Sequence, residues 1–195
     1  SFSNCTFSNA FDDGQSVIYW QKPKGKLTNC SFINIDSSKG HTLHMLAAEC
    51  EISNCIFDSV KGKILLYSSK LSFDNNYWGQ NYQNAKSIMD GKIIAYQNGQ
   101  YSNLEYKAPN SWVNLKIEGE SQIDISKSKE YKISFTSSDG SNLKSSLPDY
   151  GIKVEGNSLN KKTVHITGNM VKINYAGNVA GTNYIRCLNS EDKDD

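Results

Sequence analysis

The sequence predicts an all-β protein in two parts: the terminal coils of a parallel β-helix, then an immunoglobulin-like β-sandwich. Three observations lead there. The 21 Asn and 26 Ser among 195 residues compete with a helical backbone through their own short side chains. The 11 Tyr and 7 Phe sit among Ile, Val and Thr, which suit pleated, half-buried surfaces. A six-residue box then recurs at a fixed period of 25 in the first half and vanishes in the second.

The boxes are Phe2-Ser3-Asn4-Cys5-Thr6-Phe7, Leu27-Thr28-Asn29-Cys30-Ser31-Phe32 and Ile52-Ser53-Asn54-Cys55-Ile56-Phe57. Each reads apolar, Ser or Thr, Asn, Cys, any residue, Phe. Between them runs a second apolar strand, first Ser16–Tyr19, then Thr42–Met45, then Ile64–Tyr67. A unit this short cannot bury its own apolar side, but stacked units can, with strands paired in parallel.

Residues two apart on a strand share a face. Cys5, Cys30 and Cys55 are therefore expected to form one interior column, and Phe7, Phe32 and Phe57 another. Asn tolerates a left-handed backbone where the chain turns. Asn4, Asn29 and Asn54 are accordingly expected to form an internal amide ladder.

Leu71-Ser72-Phe73 follows Phe57 too soon for a full period and leads into Asp74-Asn75-Asn76-Tyr77-Trp78-Gly79. It reads as a shortened last coil, with Tyr77, Trp78 and Gly79 as the cap. Because Ser1 begins inside a repeat, the open N-terminal face is expected to be that of a longer solenoid. Residues 1–85 are taken as the β-helix and cap, 86–109 as closing segment and linker, and 110–195 as the sandwich. In that last part seven runs punctuated by Gly and Asn suggest strands: Val113–Ile117, Gln122–Ile125, Tyr131–Thr136, Ile152–Glu155, Thr163–Thr167, Met170–Tyr175 and Asn183–Leu188.

A net charge of +1 lacks the basic footprint of a nucleic-acid binder. No apolar run approaches the roughly 20 residues of a membrane span, and Ser1–Cys5 is not a signal peptide. His41-x-x-His44 invites a metal reading, yet on a strand these positions face opposite sides and nothing nearby completes a ligand set. No metal, cofactor or catalytic group is assigned. The cysteines are expected to be buried free thiols. Asp12, Asp13, Asp36, Asp58 and Asp74 all fall in expected turns, where a sugar-cleaving pair of carboxylates is not in view. Two sequons, at Asn4 and Asn29, are expected to be blocked by the inward ladder. The aromatic pairs Tyr19-Trp20 and Tyr77-Trp78 are assigned to packing. Lys116 and Asn174 are candidates for an intramolecular amide bond, provided both lie inside the sandwich core.

The Asn-Cys-Thr-Phe boxes, the terminal Asn75-Asn76-Tyr77-Trp78-Gly79 and a module opening on Asn110-Ser111-Trp112-Val113 together resemble adhesin-like surface proteins of methanogenic archaea. The Asn- and Lys-rich usage with a single Arg186 is similar to that group. The resemblance implies the terminal coils of a right-handed parallel β-helix followed by an immunoglobulin-like β-sandwich, in an extracellular, cell-surface protein that attaches without catalysis to another cell, or to a glycan or protein on it. It names no binding residues. A carbohydrate-active β-helix enzyme, or its sugar-binding remnant, is the alternative.

Overall fold

The computed structural model describes residues 1–11, 14–22, 24–46, 48–67, 70–96, 105–157, 159–178 and 180–188. Its first half is a parallel β-solenoid of about three turns. One wall stacks β1 (Phe2–Ser3), β4 (Lys24–Thr28), β6 (Glu49–Ser53), β8 (Lys70–Ser72) and β10 (Glu105–Tyr106) in that order, all parallel. The other walls are formed by β2 (Thr6–Ser8), β3 (Ser16–Gln21), β5 (Ser31–Leu46), β7 (Ile56–Tyr67) and β9 (Ile93–Tyr96). β5 and β7 each carry the box strand and the second apolar strand in one run, and the register shifts between Asp36 and His41. The third coil is shorter there, so the period contracts.

Register is specified twice over. Inside, Leu27, Ile52, Leu43, Met45 and Leu66 are fully buried, and a one-residue slip would turn them outward. Outside, Lys24, Glu49 and Lys70 face one another in alternating sign. Lys24 and Glu49 pair at 3.3 Å, Lys26 and Glu51 at 2.7 Å. Exposed pairs of this kind add little stability, but a slipped register would lose them.

The boxes place a stack of rings in the core. Phe7 lies 4.9 Å from Phe32, Phe32 4.8 Å from Phe57, and Phe57 4.7 Å from Trp78, with interplanar angles of 11°, 3° and 10°. Trp78 thus occupies the fourth Phe position, because Tyr77 pairs with Ile56. The segment Phe73–Trp78 is therefore a fourth copy of the box, 21 residues after the third rather than 25. Leu71 pairs with Cys50 and Ser72 with Glu51, so Leu71-Ser72 leads into the fourth box, and Phe73 takes the place of Ile52. In the fourth box Asn76 replaces Cys. It is fully buried, its Oδ1 accepts from Cys55 N at 2.9 Å, and its Nδ2 donates to Ile52 O and Phe73 O at 2.8 Å.

Residues 86–109, expected as closing segment and linker, carry two further solenoid strands. Within them β9 adds to β7 and β10 adds to β8. They follow a helix, α1 (Ala85–Lys92), whose N-cap Asn84 accepts from Ser87 N at 2.9 Å. Such a cap satisfies one of the four free N–H groups of a first helical turn. α1 buries Ile88 completely on the solenoid core.

The second half comprises β11 (Val113–Glu118), β12 (Ser128–Ser137), β13 (Tyr150–Gly156), β14 (Leu159–Ile166), β15 (Met170–Ala176) and β16 (Ile185–Leu188). Two antiparallel sheets, β11-β12-β15 and β14-β13-β16, share a core of Leu115, Ile133, Phe135, Ile152 and Val154. Six of the seven expected strands form. Gln122–Ile125 is irregular, and its residues line a cleft described below.

The halves are joined by backbone pairing. Val113 N donates to Asn76 O at 3.0 Å, as Tyr77 N does to Cys55 O, Ile56 N to Cys30 O and Ser31 N to Cys5 O, each at 2.9 Å. β11 therefore starts as a fifth rung of the solenoid and ends as a strand of the second unit. Adjacent side chains divide between the two cores: Trp78 points into the solenoid, while Tyr77 packs on Phe135 and Tyr150 at 5.2 and 5.8 Å. Pleating sends neighbours to opposite faces, so one dipeptide staples both cores.

Candidate functional site

The sequence-derived residues fall into an inner and an outer set. Cys30 and Cys55 are fully buried, while Cys5, in the first coil, is half-buried. The three Sγ atoms each lie 3.3 Å from the carbonyl two residues earlier, at Ser3, Thr28 and Ser53. All five cysteines are free thiols. Burial, then the neighbouring Cys30, pushes the Cys55 thiol far above its usual range, so it stays protonated and behaves as a small apolar side chain.

Asn4, Asn29 and Asn54 hold left-handed φ angles of 55°, 54° and 54°, the conformation their position in the turn requires. Their side chains are not interior, however: Asn4 is exposed, Asn29 and Asn54 half-buried. The bonded amide pair lies at the next corner, where Asn34 Nδ2 donates to Asn9 Oδ1 at 2.7 Å on the surface. The inward ladder that was to block the two sequons is thus not formed by these residues. Tyr77 and Trp78 are buried, and Gly79 makes the following turn at φ 83°.

The acids are separately engaged. Asp36 pairs with Lys61 at 3.6 Å, and Asp74 accepts from Asn110 N at 2.7 Å. Asp58 is buried near the Tyr150 hydroxyl and helps burial to raise that hydroxyl's pKa. Asp12 and Asp13 lie outside the described residues. Lys116 and Asn174 are both exposed, Lys116 pairing with Glu118 at 2.7 Å. Neither meets the requirement of a core amide bond.

His41 and His44 do not face opposite sides. The register shift between His41 and Leu43 brings their rings to 6.1 Å. Burial, and secondarily His41, lowers the pKa of His44. Tyr19 meets His44 edge-on at 4.9 Å. Tyr19, His44, Leu65 and Ile94 are successive register partners on one outward column. Tyr19 is 54% and Ile94 36% exposed. This column is apolar and aromatic where the β4-β6-β8 wall is charged. Partly exposed and without a carboxylate, lysine or arginine, it is an outer surface suited to contact a partner. Periodicity alone could not find it, because Val17–Trp20 and Ile64–Tyr67 read as continuous apolar runs whose two faces are not told apart by alternation.

No group of three or more His, Cys, Asp or Glu side chains is placed to hold a metal among the described residues. None of their helices is long and apolar enough to cross a membrane. Comparison with protein families, curated proteins and solved structures finds no match.

Proposed function

We propose that this chain is a non-catalytic attachment module of an extracellular cell-surface protein. Its solenoid holds the Tyr19–His44–Leu65–Ile94 column against a partner on another cell, a glycan or a surface protein. In this reading the coils are right-handed, the hand taken by almost all parallel crossovers. The second unit is an immunoglobulin-like sandwich that serves as a stalk. The observation that carries the proposal is the fusion at Tyr77 and Val113. A contact surface that bears load at a distance needs a stiff support, and a sheet continuous across the junction supplies one. The side chains there add bonds: Ser111 Oγ to Asn75 Oδ1 at 2.7 Å, Trp112 Nε1 to Tyr82 O at 2.9 Å, and Leu115 N to Asn81 Oδ1 at 2.6 Å. The resemblance to adhesin-like proteins points the same way.

Immobilised protein should retain whole cells or their surface extracts, and Tyr19→Ser with Ile94→Ser should reduce retention without unfolding the chain. Retention unaffected by the double substitution would place the contact elsewhere. New reducing or unsaturated ends after incubation with polysaccharides would replace attachment by catalysis.

A further inference from the structure

The second unit carries a feature that a spacer does not need. At the end of β11 remote from the solenoid, a cleft of about 750 Å³ opens between Glu120–Asp124 and Gly181–Ile185, a volume typical of small-ligand sites. Tyr131, Tyr175 and Tyr184 line it. Tyr131 and Tyr175 meet edge-on at 6.1 Å, and the Tyr131 hydroxyl donates to Glu120 O. The Tyr131 ring lies over Gly119, where a Cβ would come within 2.2 Å of it. Tyr184 is half-exposed, anchored through its N–H to Asn157 Oδ1 at 3.0 Å, with the Arg186 guanidinium 5.7 Å from its ring centre. Tyr175 is 3% exposed, and its buried hydroxyl has no hydrogen-bond partner among the described residues. A buried hydroxyl left unpaired is costly, so a partner arriving from the cleft would relieve it.

From this arrangement we infer that the cleft binds a neutral saccharide. A sugar presents apolar C–H faces and a rim of hydroxyls. The cleft offers the complement: the half-exposed Tyr184 ring and part of Tyr131, with the carboxylates of Glu120 and Asp124 and the amides of Gln122 and Asn183 around them. The carboxylates disfavour an acidic sugar, and the Glu120 carboxylate is held in place by Lys129 at 2.9 Å. Sequence separation hides the site, because its walls come from the loops before β12 and before β16. The inference goes beyond the attachment reading, since it makes the sandwich a binding unit in its own right.

The test is calorimetric titration of the whole chain with cello-, xylo-, chito-, manno- and maltohexaose, and with a galacturonate hexamer as the acidic control. At least one neutral hexaose should bind, and the acidic one should not. Tyr184→Ala should weaken binding about tenfold, the loss of one aromatic contact. Tyr175→Phe should weaken it about three- to tenfold, one hydrogen bond, while its unfolding midpoint stays level or rises. No binding by any neutral hexaose, preference for the acidic one, or binding indifferent to both substitutions would overturn the proposal. Cell retention run beside it separates the two readings. Retention lost in the Tyr19 and Ile94 double variant but kept in Tyr184→Ala leaves attachment standing when the cleft fails. Hexaose binding without cell retention does the reverse.

Discussion

Replacing Phe32 by Ala removes one of the two inner rings of the four-ring stack. Phe32 is fully buried, with Phe7 and Phe57 stacked on its two sides at 4.9 and 4.8 Å. A buried Phe→Ala change costs about 3–5 kcal/mol, and two ring neighbours put Phe32 in the upper part of that range, about 4–5 kcal/mol. Phe7 is half-buried and has one stacked neighbour below it, so Phe7→Ala should cost about 2 kcal/mol. Total stabilities of native domains are about 5–15 kcal/mol, so the Phe32 change takes a large share. With a urea slope of about 2 kcal/mol per molar, the midpoint should fall by about 2 M. Urea unfolding followed by Trp fluorescence and far-ultraviolet circular dichroism measures this. Phe32→Leu should fold and cost less than half as much, which keeps the comparison available if Phe32→Ala does not fold. Equal losses for Phe7→Ala and Phe32→Ala, or a loss below about 1 kcal/mol at Phe32, would refute a continuous stacked core.

Three further outcomes are expected. Only the thiolate reacts with alkylating agents. Burial raises the pKa of Cys50 and Cys55 and pushes Cys187 up to about 11. Iodoacetamide at pH 8 should therefore modify Cys50 and Cys55 only after denaturation, and Cys30 likewise, because its complete burial excludes the reagent although the neighbouring Cys55 pulls its thiol down to about 6; half-buried Cys5 should react first, as read by peptide mass. Asn76→Ala should cost about 3 kcal/mol or more in thermal unfolding, because it leaves Cys55 N–H and two buried carbonyls unpaired. Burial, with Asp58 adding to it, pushes the Tyr77 and Tyr150 hydroxyls well above the ordinary tyrosine range. The native state therefore holds both protons where the unfolded chain releases them. Stability should be fully present below pH 10 and fall by about 1.4 kcal/mol per pH unit for each tyrosine above it. Absorbance near 295 nm should then show two tyrosines ionising only with unfolding.

The three early boxes are legible in the sequence because the same residue types return at one spacing, and that spacing is the coil. The fourth is not, because two things change together. The coil shortens at the segment before Lys63, and Asn76, Tyr77 and Trp78 replace Cys, Ile and Phe. Asn4, Asn29 and Asn54 show where the chain turns left-handed, yet residue type does not tell which way a corner side chain points. The α1 helix is masked by weak formers, Ser87 and Gly91, and holds through its Asn84 cap and buried Ile88. A register shift, invisible in a strand pattern, turns His41 toward His44. The tyrosine cleft needs two loops some sixty residues apart to meet, which no local pattern records.

Residual dipolar couplings of backbone amides in a weakly aligned sample test most directly whether solenoid and second unit are one stiff body. Amides of β4–β8 and of β11–β16 should fit a single alignment tensor, with those of Tyr77 and Val113 on the same fit. Two tensors of different magnitude or orientation would mean that the rungs do not run through the junction, and the rigid support on which attachment depends would be lost.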